Sequence, residues 1–184
     1  MNNKPLHIIG ISGSLRSNSA NTNILRAIIY LLPDHVQLTM YERLDTIPHF
    51  NPEIENNGVP VAVQEFRSEI QNADAVIFCT PEYAFGVPGV LKNALDWLVS
   101  SGELNEKPVA AISASPLPSG GDKALASLML TLTALGTKIS EPLSLSIPAI
   151  KKVMTEDGDI TDDNLIAQLK ILTERLVAVI HLIN

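Results

Sequence analysis

Between Ala75 and Trp97 the chain reads AVIFCTPEYAFGVPGVLKNALDW, and this stretch restricts the possible folds more than any other. Its opening run, Ala75 to Cys79, is apolar, of β-type and too short for a helix. The run halts at Thr80-Pro81, where proline removes a backbone donor and ends a central strand. Glu82 to Pro88 follows as a loop with two aromatic residues and a glycine. Pro88 suits the first turn of a helix, where its missing N–H would have no partner anyway. From there Val90, Leu91, Ala94, Leu95 and Leu98 recur at helical spacing, with Lys92, Asn93 and Asp96 on the other side. A buried strand thus delivers a loop with exposed amides and flat side chains to the carboxyl edge of a sheet. In open α/β sheets that edge is where ligands bind.

The rest of the chain repeats this pattern. Leu6 to Ile11 reads as a first buried strand, and Ile24, Leu25, Ile28, Ile29 and Leu32 as a helix. Val36 to Tyr41 alternates like a second strand. Glu42 to Pro60 is polar and irregular, an excursion over the sheet surface. Val61 to Ile70 is a helix, Pro108 to Ser113 a fourth strand, and Ser113 to Asp122 a loop. Lys123 to Leu135 is a helix closed by Gly136 in C-cap position. Lys138 to Ser146 supplies a fifth, proline-interrupted strand, and Thr161 caps a last helix striped by Leu165, Leu169, Leu172 and Leu176. Strands apolar throughout and alternating with helices predict a parallel sheet covered on both faces. Residues 1–184 contain no linker or repeat, so one domain is expected.

Composition removes several functions. A formal charge of −7 argues against nucleic acid or an anionic membrane as partner, so an anionic ligand needs a local pocket of amides. Cys79 is the only cysteine, which suits a reducing compartment, and its buried strand suits a small hydrophobe rather than a redox thiol. Met1 to Lys4 lacks a signal-peptide pattern, and no run reaches the ~20 apolar residues that span a bilayer. The expected location is the cytoplasm. His7, His35, His49 and His181 show no metal-ligand spacing. The acidic Thr155 to Asp163 stretch fails as a calcium loop and reads as a solvated turn, because Asp162 stands where glycine is needed and Gln168 where glutamate is. No GxSxG occurs, so there is no nucleophile elbow.

The loops after strands one, three and four emerge on one sheet edge. The first, Ser12 to Thr22, leads into a helix N-terminus, which presents unpaired N–H groups and a positive dipole end. Ser14, Ser17, Ser19, Asn21 and Thr22 add donors, and Arg16 a charged one. It is neither a Walker A loop nor a dinucleotide fingerprint. Taken alone, it reads equally as a serine-rich βα turn with an N-cap. Pro81 to Gly89 alone could be a tight connection with Tyr83 and Phe85 packed inward, and Ser113 to Gly121 simple punctuation. Together, one hydroxyl-rich and one aromatic loop favour a planar phosphorylated ligand.

GSLRSNSANT at Gly13 to Thr22, with TPEYAFGVPGVLKNALDW at Thr80 to Trp97, resembles the NADPH-dependent FMN reductase family, which includes quinone, chromate and azo-dye reductases. The resemblance implies a flavodoxin-like three-layer sandwich with strand order 2-1-3-4-5 and an FMN cofactor reduced by NADPH or NADH. By resemblance, Ser14, Arg16, Ser19, Asn21 and Thr22 hold the FMN phosphate. Pro81, Glu82, Tyr83 and Ala84 lie along the isoalloxazine, and Ser113 and Ser115 fall in a third, looser-matching loop. Many members carry a polar residue where this chain has Ala84-Phe85, which bears on substrate preference more than on cofactor identity. Phe85 at the mouth is the expected stacking partner for donor and acceptor, which use one face of the flavin in ping-pong alternation. No acid–base or metal residue is expected, since the cofactor carries the chemistry. The electron acceptor is a quinone, a flavin or a similar small molecule. A homodimer or homotetramer is expected, in which a neighbouring subunit supplies a wall for the flat ring. An electron-carrier flavodoxin is the rival reading. A receiver domain is excluded, because Ser12-Gly13 and Thr80-Pro81 stand where its acids belong.

Overall fold

The structure is a computed structural model, and it describes residues 5–139 and 141–183. Residues 1–4, read above as lacking a signal pattern, lie outside the described residues, as does residue 140 within the predicted fifth strand. The strands are β1 (Leu6–Ser12), β2 (Val36–Tyr41), β3 (Ala75–Thr80), β4 (Val109–Ala114) and β5 (Ser144–Ile147). All neighbouring strands pair in parallel, in the order β2-β1-β3-β4-β5. The helices are α1 (Ala20–Ile29), α2 (Pro52–Asn57), α3 (Val61–Asn72), α4 (Gly89–Asp96), α5 (Asp122–Ala134) and α6 (Asp163–Ile183).

Every residue of β3 and β4 is buried, because helices cover both faces of the sheet. Successive strand residues point to opposite faces, so Val76 and Phe78 join α3, α4 and α5 through Phe66, Leu91 and Leu128. Ala75, Ile77 and Cys79 face the other way, onto α1 and α6 through Ile24, Leu25, Leu169 and Leu176. Trp97 belongs to the first of these cores. Its indole N–H donates to the Pro48 carbonyl at 2.8 Å, and its ring meets Phe50 edge-on at 5.1 Å. Among the described residues no helix is long and apolar enough to cross a membrane.

Several sequence expectations are corrected. Residues 42–60 are not wholly irregular: a short turn (Leu44–Thr46) and α2 lie there. The α2 start is built from polar rules, with Asn51 Oδ1 accepting the Glu53 N–H at 2.9 Å and Pro52 in the first turn. No α2 residue is buried, so no hydrophobic period marks it. β5 is shorter than Lys138 to Ser146, since Pro142 sits in a helical turn (Glu141–Leu143) that delays the strand, and Lys138 forms only an isolated bridge to Pro108. Pro88 is the cap before α4, with extended ψ of 136°, rather than part of its first turn. The cap of α6 is Asp162, whose Oδ1 accepts the Leu165 N–H at 2.7 Å, and not Thr161. Gly136 does end α5, at φ +71°.

Candidate functional site

Loop 1, from Gly13 to Ser19, is shaped by its own hydroxyls. The Ser12 hydroxyl oxygen accepts the Thr22 O–H at 2.9 Å and the Ser14 N–H at 3.3 Å. Gly13 N–H donates to the Cys79 carbonyl at 2.8 Å, which draws the loop over the end of β3. Ser19 stands in the N-cap position of α1 with extended backbone, yet its hydroxyl caps nothing. The N–H groups of Ala20, Asn21 and Thr22 therefore have no acceptor among the described residues, and no acidic residue stands in that turn. A bare helix N-terminus favours an anion through its aligned dipoles. The guanidinium of Arg16 is exposed and has no partner among the described residues. The Asn21 side chain is turned into the sheet edge. Its Nδ2 reaches the Ala114 carbonyl at 3.5 Å, and its Oδ1 accepts the Cys79 S–H at 3.4 Å. Burial pushes the Cys79 thiol far above its ordinary pKa, so it is no nucleophile.

Loop 2, from Pro81 to Pro88, makes a reverse turn in which Tyr83 and Gly86 exchange both backbone hydrogen bonds, at 3.1 and 3.0 Å. Ala84 (φ +49°) and Phe85 (φ +61°) at its centre are both left-handed, the pattern of a primed hairpin turn that normally takes Asn-Gly. Each such non-glycine residue stores roughly 1 kcal/mol or more of strain. Tyr83 is 53% and Phe85 78% exposed, so neither packs inward. Glu82 is fastened instead: its Oε2 accepts the Ala124 N–H of the first turn of α5 at 2.9 Å. Gly121, at φ +82°, is needed where loop 2 meets loop 3, residues 115–121 between β4 and α5. A Cβ there would lie 3.3 Å from that of Ser113 and 3.5 Å from that of Glu82. Ser113 is fully buried and its hydroxyl donates to the Gly120 carbonyl at 2.9 Å.

These loops enclose a cavity of about 700 Å³. Among the predicted residues, Ser14, Arg16, Ser19, Asn21, Pro81, Glu82, Tyr83 and Ser115 line it. Thr22 lines a separate, smaller cavity across loop 1, Ser113 lies behind the wall, and Ala84 and Phe85 stand exposed beyond it. The far wall was missed by sequence reasoning. It is a strap after β5 that brings Lys151, Met154, Thr155 and Glu156 to the cavity. The strap is pinned 138 residues from loop 1 by Asn18, whose Nδ2 donates to the Glu156 carbonyl at 3.0 Å. Asn18 in turn accepts from Asn23 at 2.8 Å, and Gly158 lies so close that a Cβ would meet the Asn23 amide at 2.1 Å. The acidic stretch is therefore more than a solvated turn. One signal pointed there: in a parallel sheet the loop after β5 must leave by the same edge as the others.

The sequence model of the NADPH-dependent FMN reductase family matches residues 6–151. The chain is 35% identical over 160 residues to the NAD(P)H-dependent FMN reductase PA1204 of Pseudomonas aeruginosa, covering 86% of each. It is 30% identical over 172 residues to a quinone reductase of Escherichia coli K12, covering 89% of this chain and 92% of that one. Among solved structures, FerB, a flavoenzyme NAD(P)H:(acceptor) oxidoreductase from Paracoccus denitrificans, superposes with a TM-score of 0.84 at 28% identity over 96% of this chain and 97% of its own. With its motifs, its sheet order and these matches in agreement, the chain belongs to the NADPH-dependent FMN reductase family.

Proposed function

We propose that the 700 Å³ cavity seats FMN and that the protein uses it to oxidise NAD(P)H and reduce a small acceptor of the quinone or flavin class. Family membership makes the chain an NAD(P)H-dependent flavin oxidoreductase. The observation that carries the assignment of the cavity is the uncapped N-terminus of α1, with Arg16 and the Ser14 and Ser19 hydroxyls around it. That donor set fits a phosphate dianion, and the slot between Pro81–Tyr83 and Ser115–Leu117 suits a flat ring. Bound there, FMN would supply hydride acceptance from the nicotinamide and electron delivery to the acceptor.

The protein's residues divide the remaining work. Arg16, Ser14 and Ser19 neutralise and hold the phosphate, while Asn21 and Thr22 offer main-chain N–H groups and brace loop 1 through their side chains. Pro81, Glu82 and Tyr83 would support the ring, with the Ala84-Phe85 turn just beyond its edge. Ser115 lines the third side, and Ser113 keeps that loop in place. Phe85 and Tyr83 form a flat exposed rim at a single mouth, so donor and acceptor enter in alternation. The exposed Tyr83, Phe85 and Leu117 support a homodimer or homotetramer that covers this rim. The whole of residues 1–184 acts as one domain. The charge of −7 and the unpaired Cys79 support a cytoplasmic protein without nucleic-acid or membrane partners.

The test is an FMN titration followed by anaerobic mixing with NADPH or NADH. Stoichiometric FMN binding and bleaching of the flavin absorbance by at least one nicotinamide are expected. Colourless protein after reconstitution, or a flavin that binds but is reduced by neither, would overturn the reading.

A further inference from the structure

Across loop 1 from the large cavity lies a second one, of about 280 Å³, bordered by Met40, Tyr41 and Glu42 at the carboxyl end of β2. Ser14 and Arg16 border both cavities, so a ligand seated in one reaches the other over a single loop. Its α1 side carries Arg16 and Arg26, and its β2 side carries Glu42 and Asp45. Among the described residues none of these four forms an ion pair. Arg43 and Arg67, by contrast, each face two carboxylates. Opposite charges share the space without closing on each other. Asn23 Oδ1 accepts a hydrogen bond from Arg26 at 2.9 Å and steadies the guanidinium. Leu15, 59% exposed, gives the cavity apolar surface, and Met40, half-buried against the core beneath α1, adds the part of its side chain that the core leaves open.

A simple anion would use the two guanidiniums and be repelled by the two carboxylates. The arrangement suits a ligand that is anionic at one end and offers neutral donors at the other, with a flat apolar body between. A nucleoside phosphate has that form: phosphate toward the arginines, ribose hydroxyls or the base amine toward the acids, the base against Leu15 and Met40. The volume is at the low end of the ~300–1,000 Å³ usual for ligand sites, enough for part of a dinucleotide and not the whole.

We infer that this cavity binds the adenosine end of NADPH, with Arg26 on the 2′-phosphate, and that it sets the preference for NADPH over NADH. The inference rests on the flavin reading of the neighbouring cavity, from which the nicotinamide end would be served. The test is calorimetric titration of the full-length protein with adenosine 2′,5′-bisphosphate and with adenosine 5′-monophosphate, and parallel FMN titrations. The bisphosphate should bind about tenfold or more tighter than the monophosphate, as expected for an added charge-assisted bond. Arg26→Gln should abolish that preference and leave FMN affinity unchanged, which also shows that the variant is folded. Equal binding of the two nucleotides, or an Arg26→Gln variant that keeps the preference, would overturn the inference. So would a variant that loses FMN affinity in proportion, since Arg26 would then serve the larger cavity. Bisphosphate preference without FMN binding would support this cavity and overturn the flavin reading instead.

Discussion

The carboxylate of Glu82 in loop 2 lies 2.9 Å from the main-chain nitrogen of Ala124 in the first turn of α5. One side chain thereby caps a helix and fixes the height of the cavity wall it belongs to. Glu82→Ala should lower stability by about 1 kcal/mol, the usual cost of a lost cap. It should also weaken FMN, because loop 2 is no longer tied to α5. Urea unfolding and a fluorescence titration measure the two effects, and Glu82→Gln, which keeps an acceptor, should recover part of both.

Arg16→Ala should weaken FMN more than riboflavin. A charge-assisted hydrogen bond to a phosphate contributes ~1.5–3 kcal/mol, so the loss for FMN should be roughly tenfold or more. Riboflavin, which lacks the phosphate, serves as the control, and equal losses for the two would place Arg16 elsewhere.

Phe85 combines strain with exposure. Phe85→Gly should raise stability slightly, because relief of roughly 1 kcal/mol of left-handed strain is partly offset by the flexibility of glycine in the unfolded chain. The same change should raise KM for both donor and acceptor while FMN affinity stays nearly constant. A thermal melt and initial-rate kinetics test this together. With fixed acceptor concentrations, the wild-type plots should be parallel lines.

Away from the cavity, Arg67 ties α2 to the end of α4. It is bonded to Glu55 at 2.5 Å and to the Trp97 carbonyl, with Glu103 at 3.8 Å, and its side chain is only 14% exposed. Arg67→Ala leaves nearby carboxylates without their cation and should cost about 3 kcal/mol. The Ser100 hydroxyl, and after it Arg67, hold the Glu55 carboxyl below its usual pKa. A depressed carboxyl stabilises the fold above its unfolded pKa of about 4.3, and that contribution is lost as pH falls through the folded value. Denaturant unfolding at pH 7 and at progressively lower pH should show Glu55→Gln losing less stability on acidification than wild type.

The fold was legible where hydrophobic period speaks. β1, β2, β3, α3 and the stripe of α6 follow from residues such as Ile8, Leu38, Ile77, Phe66 and Leu169, which are buried as their spacing requires. It was illegible where polar or backbone rules govern. α2 has no buried residue, and β5 is displaced by Pro142. In the site, loops 1 and 2 were visible because hydroxyls and aromatics cluster there. The strap was not, because Glu156 meets Asn18 through a backbone carbonyl and Gly158 meets Asn23 through a missing Cβ. Neither contact uses a side chain of the strap.

The bond between Asn18 and Glu156 has a consequence for how the protein is born. Chains emerge from the ribosome N-terminus first, at ~5–20 residues per second. Loop 1 and the start of α1 are thus exposed to the cell well before the wall that closes over them exists. An anion captured early would sit on an open ledge and leave freely. On the proposed flavin reading, retention would begin only when the segment around Thr155 to Gly158 arrives and meets Asn18 and Asn23. Cofactor loading would therefore be a finishing step of synthesis, and a nascent chain halted before β5 should be unable to keep its flavin.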